Sequence, residues 1–264
     1  MVELENTSIL NSPGKKNILV VYTALFGSYD ELQDPTEKFS GCDFVCFTDQ
    51  KNIKSEVWRI HLLDSSSLAN NLRNRQYKML PHVYLTDYRY SIYIDANIKV
   101  LKNPSLLLDQ SLFRINNFIV AKHFKRQSVF LEGAVLLRSG RVGFYELLKQ
   151  TILYIKSGFT GQVEMGENNV IFREHASVAK LSEFWWQEFK SGVKRDQLCL
   201  PYCSWALGNK VVASKLLSAR LGDFFAVSPH KVKLNSPLHY KIARFIFKSI
   251  PYYIIYKIMV LINK

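Results

Sequence analysis

The sequence predicts an α/β fold: a mixed sheet sandwiched by helices in a single domain, with a basic amphipathic helical tail after it. Three observations predict this. Apolar, β-branched runs of strand length recur, each closed by polar or glycine-bearing residues. Segments with helical spacing fall between those runs. The 264 residues are 48% hydrophobic and 13% aromatic, ample for a packed core, and 12 glycines and 8 prolines exclude a fibrous or disordered chain.

The elements follow in order. Residues 1–16 read as an N-terminal extension. The opening MVELENTSILNSPGKKN lacks a basic start followed by an apolar core, so no signal peptide is expected. The domain is placed at 17–235. Its first strand lies in Ile18 to Tyr22 and ends in a polar turn, Thr23 to Asp30. A second lies in Phe44 to Phe47, closed by Thr48-Asp49. EVWRIHLL alternates and reads as a third. Leu68, Leu72, Tyr77 and Leu80 mark a helix, with Ser65 to Ser67 as cap and Pro81 as stop. YSIYIDANIKVL is a strand that ends on a carboxylate, Asp95, and a short helix follows near NPSLLLDQ. NFIVAKH and FLEGAVLLRSG read as further strands, and GRVGFYELLKQTILYIKSG as a helix ended by Gly158. Asn168-Asn169 reads as a turn. HASVAKLSEFWWQEFKSG and RDQLCLPYCSWALG are helical, the second interrupted by Pro201, and DFFAVSPHKVK is a last strand and loop.

The cysteines occur as Cys42-x3-Cys46 and Cys199-x3-Cys203, wider than the usual zinc spacing. They read as buried small apolar residues in a reducing cytoplasm. The formal charge is +13, and no acid follows Asp223, whereas seven basic residues do. Much of the excess therefore belongs to the tail, 236–264. A basic balance favours an anionic partner. No base-reading motif or basic-aromatic repeat is present, so nucleic acid is not expected.

In open α/β sheets ligands sit beyond the carboxyl ends of strands. Acids there also cap turns, but Asp95-x-Asn97 is more pointed. With one residue between them, both side chains can project to one side. A carboxylate and an amide oxygen suit Mg²⁺ or Mn²⁺ bound together with a diphosphate. In RNRQYKMLPH, Arg73 and Lys78 are candidates to hold that diphosphate, and Arg75 shares a helical spacing with Lys78. Glu132, inside an apolar run, is costly unless paired or facing a cleft, which suits an acceptor hydroxyl. The amides of Asn168 and Asn169 suit sugar hydroxyls. Trp185-Trp186 reads chiefly as helix packing.

Asp-x-Asn after IYI resembles a degenerate Asp-x-Asp motif of GT-A-fold glycosyltransferases. YTALFGSYDEL, CDFVCFTD, RNRQYKMLPH, YIDANIKV, ENNVIFREH and RDQL occur in the order found in a glycosyltransferase-like family of plant cell-wall and bacterial capsule or lipopolysaccharide proteins. The resemblance covers roughly residues 17 to 230. It implies a Rossmann-related GT-A-like sheet and transfer of a sugar from a nucleotide-sugar to an acceptor glycan. It also implies donor contacts at Thr23, Phe26, Gly27, Tyr29 and Asp49, with Gly27 letting the backbone approach and an aromatic against the base. Asn97 departs from the standard second acid. Either His230 supplies a further metal ligand, as a late histidine does in glycogenin-like enzymes, or basic residues replace the metal. An Asp-Gln pair like Asp196-Gln197 lies near the transferred sugar in those enzymes, and Asp196 or Glu132 is the expected base if the reaction inverts. A non-catalytic nucleotide- or glycan-binding protein of the same fold is the alternative.

In the tail, Lys241, Arg244 and Lys248 share a helical face, and Pro251 is expected to break or kink it. The uncharged run Ser249 to Tyr256 falls short of a spanning helix. The expected partner is an anionic membrane, with the protein peripheral on the cytoplasmic face of the inner or plasma membrane and a lipid-linked acceptor within reach.

Overall fold

The structure, a computed structural model, describes residues 18–262 apart from 28–29, 65, 124, 126 and 230–236. The N-terminal extension and the expectations for Tyr29 and His230 therefore lie outside the described residues.

The strands are β1 (Leu19–Leu25), β2 (Asp43–Thr48), β3 (Arg59–Leu62), β4 (Tyr90–Ile94), β5 (Ile98–Val100), β6 (Phe118–Lys122), β7 (Gly166–Glu174), β8 (Val212–Ser214) and β9 (Phe225–Val227). The helices are α1 (Asn70–Met79), α2 (Pro81–Tyr84), α3 (Ser111–Ile115), α4 (Val129–Ser139), α5 (Phe144–Lys156), α6 (His175–Ser191), α7 (Asp196–Ala206), α8 (Leu238–Arg244) and α9 (Ile250–Ile262). Seven strands form one sheet in the order β3-β2-β1-β4-β7-β6-β8, and β5 pairs with β9 in a separate ribbon. β3, β2, β1 and β4 are mutually parallel, β7 runs antiparallel to both neighbours, and β8 is parallel to β6. The sheet is mixed and its first half parallel, as expected.

The sandwich explains the sequence of β1. Val20, Tyr22 and Ala24 enter one core with α1, α6 and α7, while Leu19, Val21 and Leu25 enter the opposite one with β5, α3 and β9. A strand covered on both faces must be apolar throughout. A third cluster joins α4 and α5 to Tyr252 and Tyr256 of α9.

Several expectations are corrected. FLEGAVLLRSG is not a strand but α4, capped by the Ser128 hydroxyl, which accepts from Leu131 N, and closed by Gly140 at φ +72°. Pro201 lies inside α7 without interrupting it. Pro81 does not simply end α1 but opens α2. Asn168 and Asn169 form no turn; they lie on β7. There, Val120 faces Ile171 but Ala121 faces Glu167, so Asn168 to Val170 bulge out of the β6 ladder. Turn-forming residues suit such a bulge. All four cysteines are free and buried, as the sequence indicated.

α8, a π-helical stretch (Phe245–Ser249) and α9 form one continuous helix, Leu238–Ile262, so Pro251 does not break it. Its inner face is docked. Ser249 Oγ donates to Ala134 O at 2.8 Å, and Tyr252 Oη meets Thr151 Oγ1 at 2.8 Å. Its outer face is apolar and exposed, including Phe247, Ile254, Ile258 and Leu261. By length and composition this helix could cross a membrane, which the short uncharged run did not reveal.

Candidate functional site

The carboxyl end of β4 delivers Asp95. Its N–H donates to Asn169 O at 2.9 Å, tying it to the β7 bulge. Its Oδ1 accepts from Tyr93 Oη at 2.9 Å and lies 3.5 Å from Lys78 Nζ. Burial first, and then the charge of Asp95, holds the Tyr93 phenol well above its ordinary pKa, so it stays a donor. The Lys78 ammonium also contacts Asp196 Oδ2 at 2.7 Å, and Arg75 Nε reaches the same oxygen at 3.4 Å. Asp95 and Lys78 from the sequence reading thus converge, and Asp196 joins them.

Lys78 is placed by its helix. The fully buried Arg173 on β7 donates to Lys78 O at 2.7 Å and Met79 O at 3.3 Å, and also contacts Tyr22 Oη. Its cation therefore sits on the last carbonyls of α1, where the helix dipole favours positive charge. Burial lowers the Arg173 pKa, and a guanidinium tolerates that without losing its proton.

Arg73 does not join Lys78. It lies over the Phe26 ring, 4.5 Å from the centroid, and donates to Asp64 O. Five residues of α-helix separate Arg73 and Lys78 by about 140° around the axis, whereas Arg75 is three residues away and shares the face. Arg75, not Arg73, is the basic partner of Lys78.

Asp196 changes role as well. Burial alone would raise its pKa, but the charges of Lys78 and Arg75 outweigh this and hold the carboxyl well below its ordinary range. A carboxylate so stabilised is a poor proton acceptor. In this arrangement it anchors the two cations, which disfavours the role of base expected of it. Glu132 is buried in the first turn of α4, a helical and not a strand setting.

The nucleotide-side expectations divide. Gly27 has φ +66°, its N–H donates to Asp49 Oδ1 at 3.0 Å, and its carbonyl accepts from Gln50 Nε2, so the loops after β1 and β2 are locked together. A Cβ at position 27 would lie 2.6 Å from Asn70 Nδ2. Thr23, by contrast, is 0% exposed within β1, which runs to Leu25. Phe26 packs on Tyr77 at 5.6 Å between centroids. Neither is open to a base.

Asn97 is buried, and its Nδ2 donates to Ser228 O at 2.9 Å. With the nitrogen committed, the amide oxygen is the atom left for a ligand. No group of three or more His, Cys, Asp or Glu side chains able to hold a metal occurs among the described residues. By the chemistry of their oxygens, the one-third exposed Asp95 carboxylate and the Asn97 amide oxygen are the donors here that suit Mg²⁺, a cation commonly held by one or two protein oxygens together with phosphate. Asn168 and Gln197 line one cleft, with Gln197 N–H donating to Asp196 Oδ1 at 3.1 Å. Asn169 Nδ2 donates to Glu167 Oε2 at 3.2 Å. Trp185 and Trp186 are buried core residues.

Residues 6–220 match the family model described as TOD1/MUCI70, glycosyltransferase-like domain. A probable hexosyltransferase, MUCI70, from Arabidopsis thaliana is 24% identical over 208 residues, which is 68% of this chain and 36% of that protein. The apo structure of the bifunctional glycosyltransferase WbbM matches with a TM-score of 0.50 at 10% identity, over 92% of this chain and 52% of that one. At that identity the likeness concerns the fold alone. The chain spans little over a third of the plant relative and about half of WbbM.

Proposed function

This chain belongs to the TOD1/MUCI70 glycosyltransferase-like family, and from that premise we propose that it transfers a sugar, of hexosyl or related type, from a nucleotide-sugar to a glycan acceptor. The observation that carries the reading is the convergence of Lys78 on Asp95 at the carboxyl end of β4. The nucleotide lies over the locked loops at Gly27 and Asp49. The diphosphate reaches Arg75, the more exposed of the two cations, and the fixed charges of Arg75 and of Lys78 behind Asp95 stabilise it as it leaves. The acceptor hydroxyl approaches from the side of Asn168 and Gln197.

Charge counting supports a divalent cation. Lys78 and Arg75 are matched by Asp95 and Asp196, and Arg195 adds one more distant positive charge, while a leaving nucleoside diphosphate brings about two or more negative charges. Asp95 and Asn97 would hold Mg²⁺ or Mn²⁺, which supplies that missing positive charge when bound. A thermal-shift panel of nucleotide-sugars with and without Mn²⁺ tests the reading, since a ligand at 100 Kd adds about 2.7 kcal/mol of apparent stability. We expect at least one donor to raise Tm and be turned over. Binding without turnover, with any acceptor, supports the non-catalytic alternative.

The acceptor we favour is a cell-surface polysaccharide or lipid-linked glycan, of the capsule or lipopolysaccharide kind, at the cytoplasmic face of a membrane. The tail supports it: α9 is docked through Tyr252 and Tyr256 while Phe247, Ile254 and Ile258 face outward beside Lys248 and Lys257. This arrangement suits a helix lying in an anionic interface. Co-sedimentation with anionic vesicles is expected, and the double variant Phe247→Asp/Ile254→Asp is expected to lower it at least about tenfold. Equal recovery of variant and parent would remove the membrane contact from the proposal.

A further inference from the structure

The cleft lined by Asn168 and Gln197 is linked to the Lys78–Asp95–Asp196 cluster through the chain neighbours Asn169 and Asp196. It lies between the β7 bulge and α7 and has a volume of about 270 Å³, near the lower end of the about 300–1,000 Å³ of small-molecule pockets. Asn168, Gln197, Trp205 and Asn209 are among its lining residues. Asn168 is 4% exposed, yet its Nδ2 has no hydrogen-bond partner. A buried amide donor left unmatched is costly, and a turn of the Asn168 side chain toward the cavity would give it a ligand oxygen.

Trp205 supplies the other half of the chemistry. It is 44% exposed, whereas Trp58, Trp185 and Trp186 are buried. Its ring is held from behind by Phe159 and Tyr202, with centroids 5.5 and 5.9 Å away. A fixed aromatic surface beside neutral amides matches a pyranose ring, which presents C–H groups on a face and hydroxyls at its edge. The position fits too. Gln197 follows Asp196 in the chain, and Asn169, next to Asn168, accepts the Asp95 N–H.

We propose that this cavity binds one pyranose unit of the acceptor saccharide, with Trp205 stacking on the ring and Asn168, Gln197 and Asn209 meeting its hydroxyls. The word acceptor rests on the transferase reading; the binding does not. The sugar hydroxyl to be glycosylated then points toward Asp95, with the rest of the acceptor leaving past Trp205.

The test titrates the full chain with the methyl pyranosides of glucose, galactose, xylose, rhamnose and galacturonic acid, reading tryptophan emission and saturation-transfer NMR. At least one is expected to change the emission and to receive saturation. Trp205→Ala is expected to abolish both signals, and Asn168→Leu to weaken binding about tenfold, while Trp205→Phe retains part of it. No response from any pyranoside, or a full response in Trp205→Ala, overturns the proposal. Nucleotide-sugar thermal shifts on the same variants are expected to be unchanged, and they show that the fold is intact. Pyranoside binding without any nucleotide-sugar binding would defeat the transferase reading and leave the cavity standing. The converse would defeat the cavity alone.

Discussion

Replacing Lys78 with methionine is expected to destabilise the protein by about 3–5 kcal/mol and to end sugar transfer. The side chain is 2% exposed and separates two carboxylates. Removing one member of a buried charge pair leaves the other uncompensated, and that cost exceeds the worth of the pair itself. Asp196 would keep Arg75, the more distant and more exposed cation, and the charge of its chain neighbour Arg195. For a chain of this size the loss corresponds to a fall in Tm of about 10 °C. The pH dependence follows from sign. The folded pKa of Asp196 is depressed, so its contribution is complete above the unfolded carboxyl value of about 3.9 and is lost as pH falls through the folded value. The parent should therefore resist acid further than Lys78→Met. The double variant Lys78→Met/Asp196→Leu should recover stability but not transfer, because apolar groups can replace a buried ion pair. An unchanged Tm in the single variant would show that Lys78 is not the counter-charge of Asp196.

Asp95→Ala is expected to separate activity from stability. The carboxylate is one-third exposed at a strand end, and without it the buried Lys78 ammonium still keeps Asp196 at 2.7 Å, so the main loss is the acceptor of the buried Tyr93 hydroxyl. That costs about 1–3 kcal/mol, less than the loss of Lys78 itself, and Tm should fall by only a few degrees. Transfer should fall about 10²–10³-fold, the usual cost of one preorganised electrostatic contact at the reacting centre. Asp95→Asn distinguishes charge from shape and should fall nearly as far if the carboxylate is needed to balance a cation. The measurement is steady-state transfer with whichever donor raises Tm. Turnover at the parental rate in Asp95→Ala would place the chemistry elsewhere.

The strands that build the donor side were legible because their pattern has one cause. β1, β2 and β4 are covered on both faces, so each is mostly apolar, although the buried Thr23 lies inside β1 and the buried Ser91 inside β4, and β1 runs two residues past the polar position expected to end it. The same logic misled at Val129–Ser139, because an apolar run does not distinguish a buried strand from a buried helix. Ser128 before it and Gly140 after it were the missed signals, since together they bracket a stretch too long for an ordinary strand. Arg75 was available from helical spacing alone. Arg173 was visible only as a polar residue in an apolar strand, and its task depends on a helix terminus 95 residues earlier in the chain. Asn168 and Asn169 signalled irregular backbone correctly, but not that the irregularity was a bulge within a strand. Trp205 gave no sign, because one exposed ring in an aromatic-rich helix has no distinguishing pattern.

The placement of β7 also has a consequence for biosynthesis. It pairs with β4 on one side and β6 on the other, yet it is made after both. A growing polypeptide that has emerged through β4 carries an open edge of backbone amides and carbonyls, rich in isoleucine and tyrosine, until Gly166–Glu174 leaves the ribosome. At about 5–20 residues per second, that interval lasts seconds. Such an edge invites pairing with other chains. Nascent chains stalled before β7 should bind chaperones, and release should follow once β7 is exposed.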